Sequence, residues 1–327
     1  MTLVDTHIET LTDISLKVLN KRLANQKNPN FQFVFLGDTW FDWGNAILQS
    51  FTKAKQDAIR RYQIFLSCLD KASKQKPKPL FILYGGDGVF SGSAEQLMFF
   101  KNAVEKFVRK TNIAFFMVPG NHERNGVNGS LVNYQNIIGP RKGNKTVQEN
   151  GLNYIINTPK LRMVMLNDVG PVAKPTRYGI TNSALATFNK GINTKKDVVV
   201  VMHVPPKAGS FKSFPSSEAF PVTTPNDKAF IANLSKSKSV KLILVSHIHD
   251  ILLKGTIAGK TAVLNGNGGA GTDTRPTLNP VISSFTFINK NKSIRFDGQR
   301  SVTVNTKIRP RKVFILTKDG IISVPIV

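Results

Sequence analysis

Short apolar runs that each end in a cluster of aspartate, asparagine or histidine constrain this chain most. The runs are rich in β-branched and aromatic residues, which predicts buried strands. Four of the five histidines fall in the clusters. Open α/β sheets bind ligands beyond the carboxyl ends of their strands, and imidazole and carboxylate groups ligate divalent or trivalent metals. The pattern therefore predicts a metal site built at strand ends. The clusters are Phe-Leu-Gly-Asp-Thr-Trp at 35–40, Gly-Gly-Asp-Gly at 85–88, Gly-Asn-His-Glu at 120–123, Val-Met-His at 201–203 and Ser-His-Ile-His at 246–249.

Length and composition favour one large α/β domain. A chain of 327 residues can bury a large core, and 41% hydrophobic residues is ordinary for a globular protein. No apolar run approaches the ~20 residues that span a bilayer, and no signal peptide is predicted at the N-terminus. Cys68 is the single cysteine, so an intrachain disulfide and a thiolate zinc site are excluded. Cys68 falls in a helical pattern and is interpreted as buried filler.

The formal net charge of +25 favours anionic partners. Basic residues are more frequent near the C-terminus, where few acidic residues balance their charge. Two interpretations stay open, a solvated basic face and a surface that binds a polyanion such as nucleic acid. The C-terminal basic residues are Lys290, Lys292, Arg295, Arg300, Lys307, Arg309, Arg311, Lys312 and Lys318.

Strand and helix patterns alternate through most of the chain, which favours largely parallel pairing. A helix is expected from about Ile8 to Leu23, with Thr6 and Glu9 as its capping box. Asp5-Thr6-His7 spells an Asp-x-His ligand pattern, but no long strand precedes it, so it is interpreted as part of the cap. Further strands are predicted at 31–36, 80–84, 113–118, 161–166, 198–202 and 242–245, and further helices at 46–74, 93–110, 182–192 and 226–235.

The pattern changes after Gly255, where helical spacing stops and short strands with turn residues follow. A second, more antiparallel sheet is expected there. Two loops, at 204–225 and 266–280, follow the ligand-bearing segments and are candidates for specificity. The glycines of the second loop either offer backbone N–H groups to phosphate or form a plain flexible loop. These glycines are Gly266, Gly268, Gly269 and Gly271.

The order, spacing and residue types of the clusters resemble the calcineurin-like metallophosphoesterase superfamily, over roughly residues 31–290. The Gly-Asn-His-Glu and Ser-His-Ile-His segments are the specific ones, the latter where the family usually has Gly-His-x-His. The resemblance implies a two-sheet β-sandwich flanked by helices, an α/β/β/α fold, here with an added N-terminal helix. It also implies three parts: an extension at 1–30, a catalytic domain at 31–290, and basic strands at 291–327 that complete the second sheet.

The family's site residues can be carried over position by position. The resemblance implies that Asp38 and His249 bind a first metal and that Asp87 bridges two metals. The second metal would be bound by Asn121, His203 and His247. His122 would contact the substrate phosphate and protonate or stabilise the leaving oxygen, while metal-bound hydroxide attacks phosphorus. The implied cofactors are two divalent or trivalent ions, with Mn, Fe and Zn favoured.

The chain departs from the family at Trp40. Most members have a ligand histidine there, and indole cannot replace it because its ring N–H only donates. The purple acid phosphatases also lack this histidine, but they supply a tyrosine where this chain has Phe90. The first site is therefore expected to use water or another oxygen, such as that of Asp42, or to bind metal weakly. Trp40 and Trp43 either pack in the core, which is favoured, or form an aromatic wall for a substrate ring.

The expected function is a metal-dependent phosphoester hydrolase, and phosphomonoesterase is the preferred type because the first cluster resembles the acid phosphatases. The alternatives are a phosphodiesterase or nuclease, and a degenerate, basic polyanion-binding protein with the same fold. Two acids have open roles. Glu123 is either a partner of a metal ligand or a solvated turn residue, and Asp168 is interpreted as a turn residue.

Overall fold

The computed structural model describes residues 9–40, 53–124, 130–141, 147–148, 152–170, 178–208, 219–249, 252–266, 280–309, 312–317 and 320–325. Two β-sheets pack face to face between two layers of helices. The α/β sandwich flanked by helices that the sequence predicted is therefore confirmed. Within these ranges no helix combines the length and the apolar character needed to cross a bilayer.

Most helices of the described part of the chain form the two outer layers, while the first packs against the edge of the five-stranded sheet, where Ser15 accepts the backbone N–H of Phe115. The helices are α1 (Leu11–Ala24), α2 (Lys53–Ser73), α3 (Ala94–Thr111), α4 (Asn121–Arg124), α5 (Ser130–Ile137), α6 (Asn182–Ile192) and α7 (Pro225–Lys236). Several begin at a hydroxyl side chain that accepts the backbone N–H three residues later, which satisfies one otherwise unpaired donor. These N-caps are Thr10, Ser93, Thr181 and Thr224.

Up to β8 the strands alternate with these helices, except for β4, β5 and β6, which follow one another, and after β8 the described chain has strands alone. They are β1 (Phe31–Leu36), β2 (Phe81–Tyr84), β3 (Ala114–Met117), β4 (Val147–Gln148), β5 (Tyr154–Asn157), β6 (Leu161–Met165), β7 (Asp197–Val201), β8 (Val240–Val245), β9 (Leu252–Ile257), β10 (Lys260–Asn265), β11 (Val281–Ile288), β12 (Ser293–Ser301), β13 (Lys312–Thr317) and β14 (Gly320–Pro325).

Both sheets contain a block of parallel strands, with antiparallel strands at one edge of the five-stranded sheet and at both edges of the seven-stranded sheet. The five-stranded sheet has the order β12-β11-β1-β2-β3, in which β1, β2 and β3 are parallel. The seven-stranded sheet has the order β4-β5-β6-β7-β8-β10-β9, in which β6, β7, β8 and β10 are parallel. Continuous burial of β1 and β7 fits strands that are covered on both faces. The carboxyl ends of β1, β2, β3, β7 and β8 are the ends that carry the polar clusters.

The core has three layers that follow from this arrangement. The middle layer lies between the sheets and joins Phe33, Phe81 and Phe116 of one sheet to Met163 and Val199 of the other. A second apolar layer packs α2 and α3 on the outer face of the five-stranded sheet. A third packs α6 and α7 on the outer face of the seven-stranded sheet. The strand ends are thereby held on a rigid scaffold.

Two expectations about the chain's ends need correction. The first helix begins at Leu11, because Thr10 accepts the N–H of Asp13, so the capping box of Thr6 and Glu9 was wrong as the helix start. Asp5-Thr6-His7 lies outside the described residues. The late strands also do not join in one second sheet: β11 covers the open edge of β1 and carries β12, β9 and β10 extend the seven-stranded sheet, and β13 and β14 pair apart from both. An unpaired edge of the buried β1 would leave its backbone groups unsatisfied.

The last strands, β13 and β14, pair with each other as an antiparallel hairpin. Among the described residues 291–327, only β12 continues a large sheet, and this is the five-stranded one. The division of the chain at residues 30 and 290 stays a prediction.

Candidate metal centre

Asp87 lies at the centre of the site, in a tight turn after β2. It has a φ of +56° and follows Gly86, whose φ of +98° is in the left-handed region that favours glycine. The carboxylate is buried, and a Cβ at Gly120 would collide with it, so only glycine allows this approach. Asp87 Oδ1 accepts the backbone N–H of His122 at 2.9 Å, and Asp87 Oδ2 accepts the indole N–H of Trp40 at 2.9 Å.

His203 lies fully buried beside Asp87, just after β7. Its Nδ1 is 2.7 Å from the carbonyl oxygen of Gly85, and because a carbonyl only accepts, Nδ1 carries the proton. This leaves Nε2 facing the site, 2.9 Å from Asn121 Oδ1, 3.3 Å from Asp87 Oδ1 and 3.2 Å from His247 Nδ1. These four residues, Asp87, Asn121, His203 and His247, define the His203 side of the site.

Asp38 and His249 lie on the other side of Asp87. Asp38 follows β1 with a φ of +60°, and its Oδ2 accepts the backbone N–H of His247 at 3.2 Å. Asp38 Oδ1 is 3.6 Å from His249 Nε2, which is longer than a hydrogen bond. Both atoms are buried and neither has a hydrogen-bond partner within the described part of the chain. Asp38, His249 and the shared Asp87 define the His249 side.

The charges of these buried groups shift one another's pKa values. Burial alone would lower the pKa of His203, but the carboxylates of Asp87, Asp38 and Asp168 raise it to about 10. Burial would raise the pKa of Asp87, yet His203 and His122 hold it well below its ordinary value. Burial and the nearby His203 lower the pKa of His247 to about 3. The site therefore stabilises a positive charge next to Asp87.

Two buried carboxylates hold the backbone of the ligand-bearing turns. Glu123 accepts three N–H groups, from Asp87 at 2.8 Å, from Val89 at 3.0 Å and from Gly120 at 2.6 Å. Asp168 accepts the N–H of His203 at 3.3 Å and of Val204 at 2.7 Å. Burial raises the pKa of Glu123, to which Asp87 adds, and of Asp168, each to about 7.

These contacts correct two interpretations of the sequence. Glu123 is not a solvated turn acid, and Asp168 is more than a turn residue, because each orders the loop that presents proposed ligands. For Asp168 the signal was available: it follows β6, which is the parallel neighbour of β7, so it ends beside His203.

Trp40 occupies the position where the family usually has a histidine, and its ring is half-buried within the site. The indole lies 4.3 Å from the His122 ring and 4.3 Å from the His249 ring, measured between centroids. The guanidinium of Arg61 lies over the indole at 5.6 Å, and Arg61 Nη1 donates to the Trp40 carbonyl at 3.0 Å. Trp40 is thus fixed on several sides, and its donor points at Asp87.

His122 lies at the partly open side of the site, next to Phe90. Its Nδ1 donates to the carbonyl oxygen of Phe90 at 2.7 Å, which leaves Nε2 towards the site, 4.0 Å from Asp87 Oδ2. The Phe90 side chain is 43% exposed. Asp42 and Trp43 lie outside the described residues, as do Gly268, Gly269 and Gly271, whereas a Cβ at Gly266 would lie 3.2 Å from Asp38 Oδ2.

The residues present fit metal cations. Asp87, His203 and His247 form one group and Asp38, Asp87 and His249 another, and in each group the candidate ligand atoms lie within 4.8 Å of one another. On the His203 side, electron-donating atoms converge, a repulsive arrangement unless a proton or a cation lies among them. On the His249 side, a shared cation would satisfy the buried Asp38 Oδ1 and His249 Nε2, which lack a hydrogen-bond partner within the described part of the chain. Mixed oxygen and nitrogen donors suit Mn, Fe, Zn, Co and Ni alike.

Comparisons with known proteins agree with this geometry. The family model described as calcineurin-like phosphoesterase matches residues 5–250. Solved structures that resemble the chain include the crystal structure of a dimetal phosphatase from Danio rerio, at a TM-score of 0.50 and 14% identity, covering 85% of this chain and 100% of that one. At that identity the likeness shows the fold. No curated protein sequence matches the chain.

The fold and the two ligand groups around one carboxylate define the class, a metal-dependent phosphoester hydrolase. The chain belongs to the calcineurin-like phosphoesterase family.

Proposed function

We propose that the protein is a phosphomonoesterase that uses two cations. Asp38, Asp87 and His249 would hold one cation. Asp87, Asn121, His203 and His247 would hold the other. The observation that carries the proposal is the arrangement of two ligand groups that share Asp87 directly beside His122. The Danio rerio neighbour is titled a dimetal phosphatase, which supports the same type of centre.

Bound cations would supply Lewis-acid activation of water and of the phosphoryl group. The chain's own residues supply position and proton transfer. Glu123 and Asp168 hold the turns that carry the ligands, through the backbone N–H groups of Asp87 and His203 among others. This ordering lets the ligand atoms meet a cation without rearrangement, which keeps the cost of binding low.

His122 is proposed as the group that protonates the leaving oxygen. Because the Phe90 carbonyl holds Nδ1–H, the proton that His122 can give is the one on Nε2. Nε2 faces the site within 4.0 Å of Asp87 Oδ2, so a phosphoryl group at the cluster would present its leaving oxygen to this nitrogen. A positioned general acid contributes roughly 10²- to 10⁴-fold in rate.

The monoester preference rests on the first polar cluster. Trp40 stands where most family members have a histidine, and the purple acid phosphatases lack that histidine too. A phosphodiesterase or nuclease is the alternative within the family. The net charge of +25 favours another alternative, a protein of the same fold that binds polyanions. The retention of His122 beside the two ligand groups argues for catalysis over binding alone.

The test is metal analysis combined with turnover of three substrates. The protein, loaded with Mn, Fe or Zn, is assayed on an aryl phosphate monoester, on the matching bis-aryl diester and on single-stranded nucleic acid, at low and moderate salt. We expect about two cations per chain and fastest turnover of the monoester. Faster turnover of the diester or the nucleic acid would replace the phosphomonoesterase by the alternative. Salt-dependent nucleic-acid binding without turnover of any ester would favour the polyanion-binding protein.

A further inference from the structure

Three rings form a cluster on the open side of the metal centre. The Phe90 ring lies 5.4 Å from the His122 ring and 6.3 Å from the indole of Trp40, and the indole lies 4.3 Å from His122. Most large hydrophobic side chains of the described chain are buried. Phe90, at 43%, and Val132, at 45%, are the exposed ones within that part of the chain.

The backbone and the side chain of Phe90 do different things. Its carbonyl oxygen accepts the Nδ1–H of His122, and this contact would be made by any residue at this position. The ring is not needed for this hydrogen bond, and the side chain is 43% exposed. A single exposed apolar side chain is ordinary on a protein surface, and Val132 is such a case. Phe90 differs because its exposed ring directly adjoins the proposed general acid.

Trp40 packs against both other rings of this cluster, and its own position is fixed by its contacts. Its indole N–H is bound to Asp87, and Arg61 covers the ring at 5.6 Å. Trp40 therefore cannot turn away from His122 without losing a buried hydrogen bond. Among the described residues no hydrogen bond or cation fixes the Phe90 ring, which is 43% exposed, so it is the part of the cluster that a ligand can contact over a wide area.

The proposed chemistry determines which part of the substrate contacts the rings of Phe90, Trp40 and His122. The leaving oxygen must approach His122 Nε2 to receive its proton, so the group attached to that oxygen extends along the rings that flank His122. Offset-stacked or edge-to-face contacts with a flat ring are favoured there, and burial of the Phe90 ring adds apolar contact. An aliphatic, polar alcohol would gain neither.

We propose that Phe90, backed by Trp40, is a specificity-determining residue that selects phosphate monoesters of aromatic alcohols, in which the ring is bonded directly to the ester oxygen. This inference rests on the proposed function, since it assumes that His122 faces the leaving group. It names the class of substrate rather than one compound.

The experiment compares two monoesters whose leaving groups have matched acidity, phenyl phosphate and a fluorinated alkyl phosphate, so that their chemical reactivity is similar. The measured quantity is the ratio of their kcat/KM values. Phe90→Ala should lower the ratio by about 3- to 10-fold, the size of an aromatic contact. Phe90→Leu should lower it in part, and Phe90→Trp should preserve it. Val132→Ala, the other exposed apolar side chain, should leave it unchanged.

Equal loss on both esters in Phe90→Ala would overturn the inference, because the ring would then act on the position of His122 and not on the leaving group. A second readout does not need turnover. Calorimetric binding of phenylphosphonate should weaken in Phe90→Ala by the same factor, while methylphosphonate binding holds. If the wild-type protein hydrolyses neither ester, the proposed function fails, and this binding comparison still decides the inference: equal weakening of both phosphonates would refute it.

Discussion

The two sides of the metal centre differ in what the chain supplies. On the His203 side, Asn121, His203 and His247 join Asp87, and His203 is held at Nδ1 by the Gly85 carbonyl and at its backbone by Asp168. On the His249 side, only Asp38 and His249 join Asp87 among the described residues. Trp40 stands there in place of the family's usual histidine, and it donates a hydrogen bond to Asp87 and cannot ligate.

This difference teaches that a shared carboxylate need not serve both sides equally. Asp87 Oδ1 faces His203 and accepts the backbone N–H of His122, whereas Asp87 Oδ2 accepts the indole N–H of Trp40. A cation on the His249 side would share that oxygen with the indole and would have fewer protein ligands. Its coordination would be completed by water or by substrate, so that substrate could replace bound water there.

Asp87→Asn should have the largest effect, because it removes the charge common to both sides. An amide keeps one acceptor oxygen but loses the charge that offsets the buried histidines, so we expect both cations to be lost. Turnover should fall by more than the contribution of a general acid, that is by more than about 10⁴-fold. Elemental analysis and the aryl phosphate assay measure the two losses.

The control for this variant is Asp70→Asn. Asp70 is a solvent-exposed aspartate on α2 that pairs with Lys74. Asp70→Asn should keep both cations and full turnover. Retention of one tightly held cation in Asp87→Asn would show that the His203 side binds metal without the shared carboxylate. It would contradict the proposal that Asp87 bridges the two cations.

His122→Asn should lower turnover while leaving both sides loaded. The asparagine cannot donate the Nε2 proton, so esters with poor leaving groups should slow by about 10² to 10⁴. An activated aryl ester needs less protonation and should slow less. Metal content by elemental analysis separates this result from a loss of ligands. If both esters slow alike, the role of His122 in proton transfer is wrong, and if a cation is lost, His122 belongs with the metal ligands.

Asp168→Asn should weaken the His203 side selectively. The amide has one acceptor oxygen, so its NH₂ group would face one of the two backbone N–H groups that the carboxylate accepts, on His203 and Val204. Loss of such a supporting contact typically costs 10- to 100-fold in metal affinity. Metal titration by calorimetry should show the tighter class weakened by about this amount.

Asp227→Asn is the matched control for Asp168→Asn, since Asp227 is equally buried and accepts backbone N–H groups from Ile180 and Thr224 at the start of α7. It should reduce stability without a selective change in metal affinity. Equal weakening of metal binding by the two variants would attribute the Asp168 effect to general loosening of the fold.

Sequence reasoning reached the architecture where local patterns were strong. The strands that end before Asp38, Asp87 and His203 are continuous apolar runs, and their predicted bounds lie within about two residues of the observed ones. The convergence of the clusters followed from parallel pairing. The placement of the late strands could not be predicted, because the choice of β1 as the partner of β11 is set by which buried edge is open in the folded sheet.

Within the site, sequence reasoning identified the residue types but not their second contacts. Spacing cannot show that Trp40 donates to Asp87, because this bond depends on left-handed backbone at both residues. The same holds for Glu123, which reaches back to three N–H groups in two different turns. Apart from the contact with Gly120, three residues away, these contacts are long-range in sequence, and no local pattern encodes them.

The smallest expected effect sharpens the comparison most directly. Trp40→His removes the indole donor from Asp87 and places an imidazole ligand on the His249 side, so the weaker class of bound metal should tighten by about tenfold, or ~1.4 kcal/mol. Trp40→Phe removes the donor without adding a ligand and is the matched control, with a smaller gain. Stepwise dialysis against a chelator should remove the His249-side cation first in the wild-type protein and in Trp40→Phe. In Trp40→His the two cations should leave closer together. If the wild-type protein releases both cations in one step, or if Trp40→His weakens binding, the indole is a support for Asp87 and the two sides are equal.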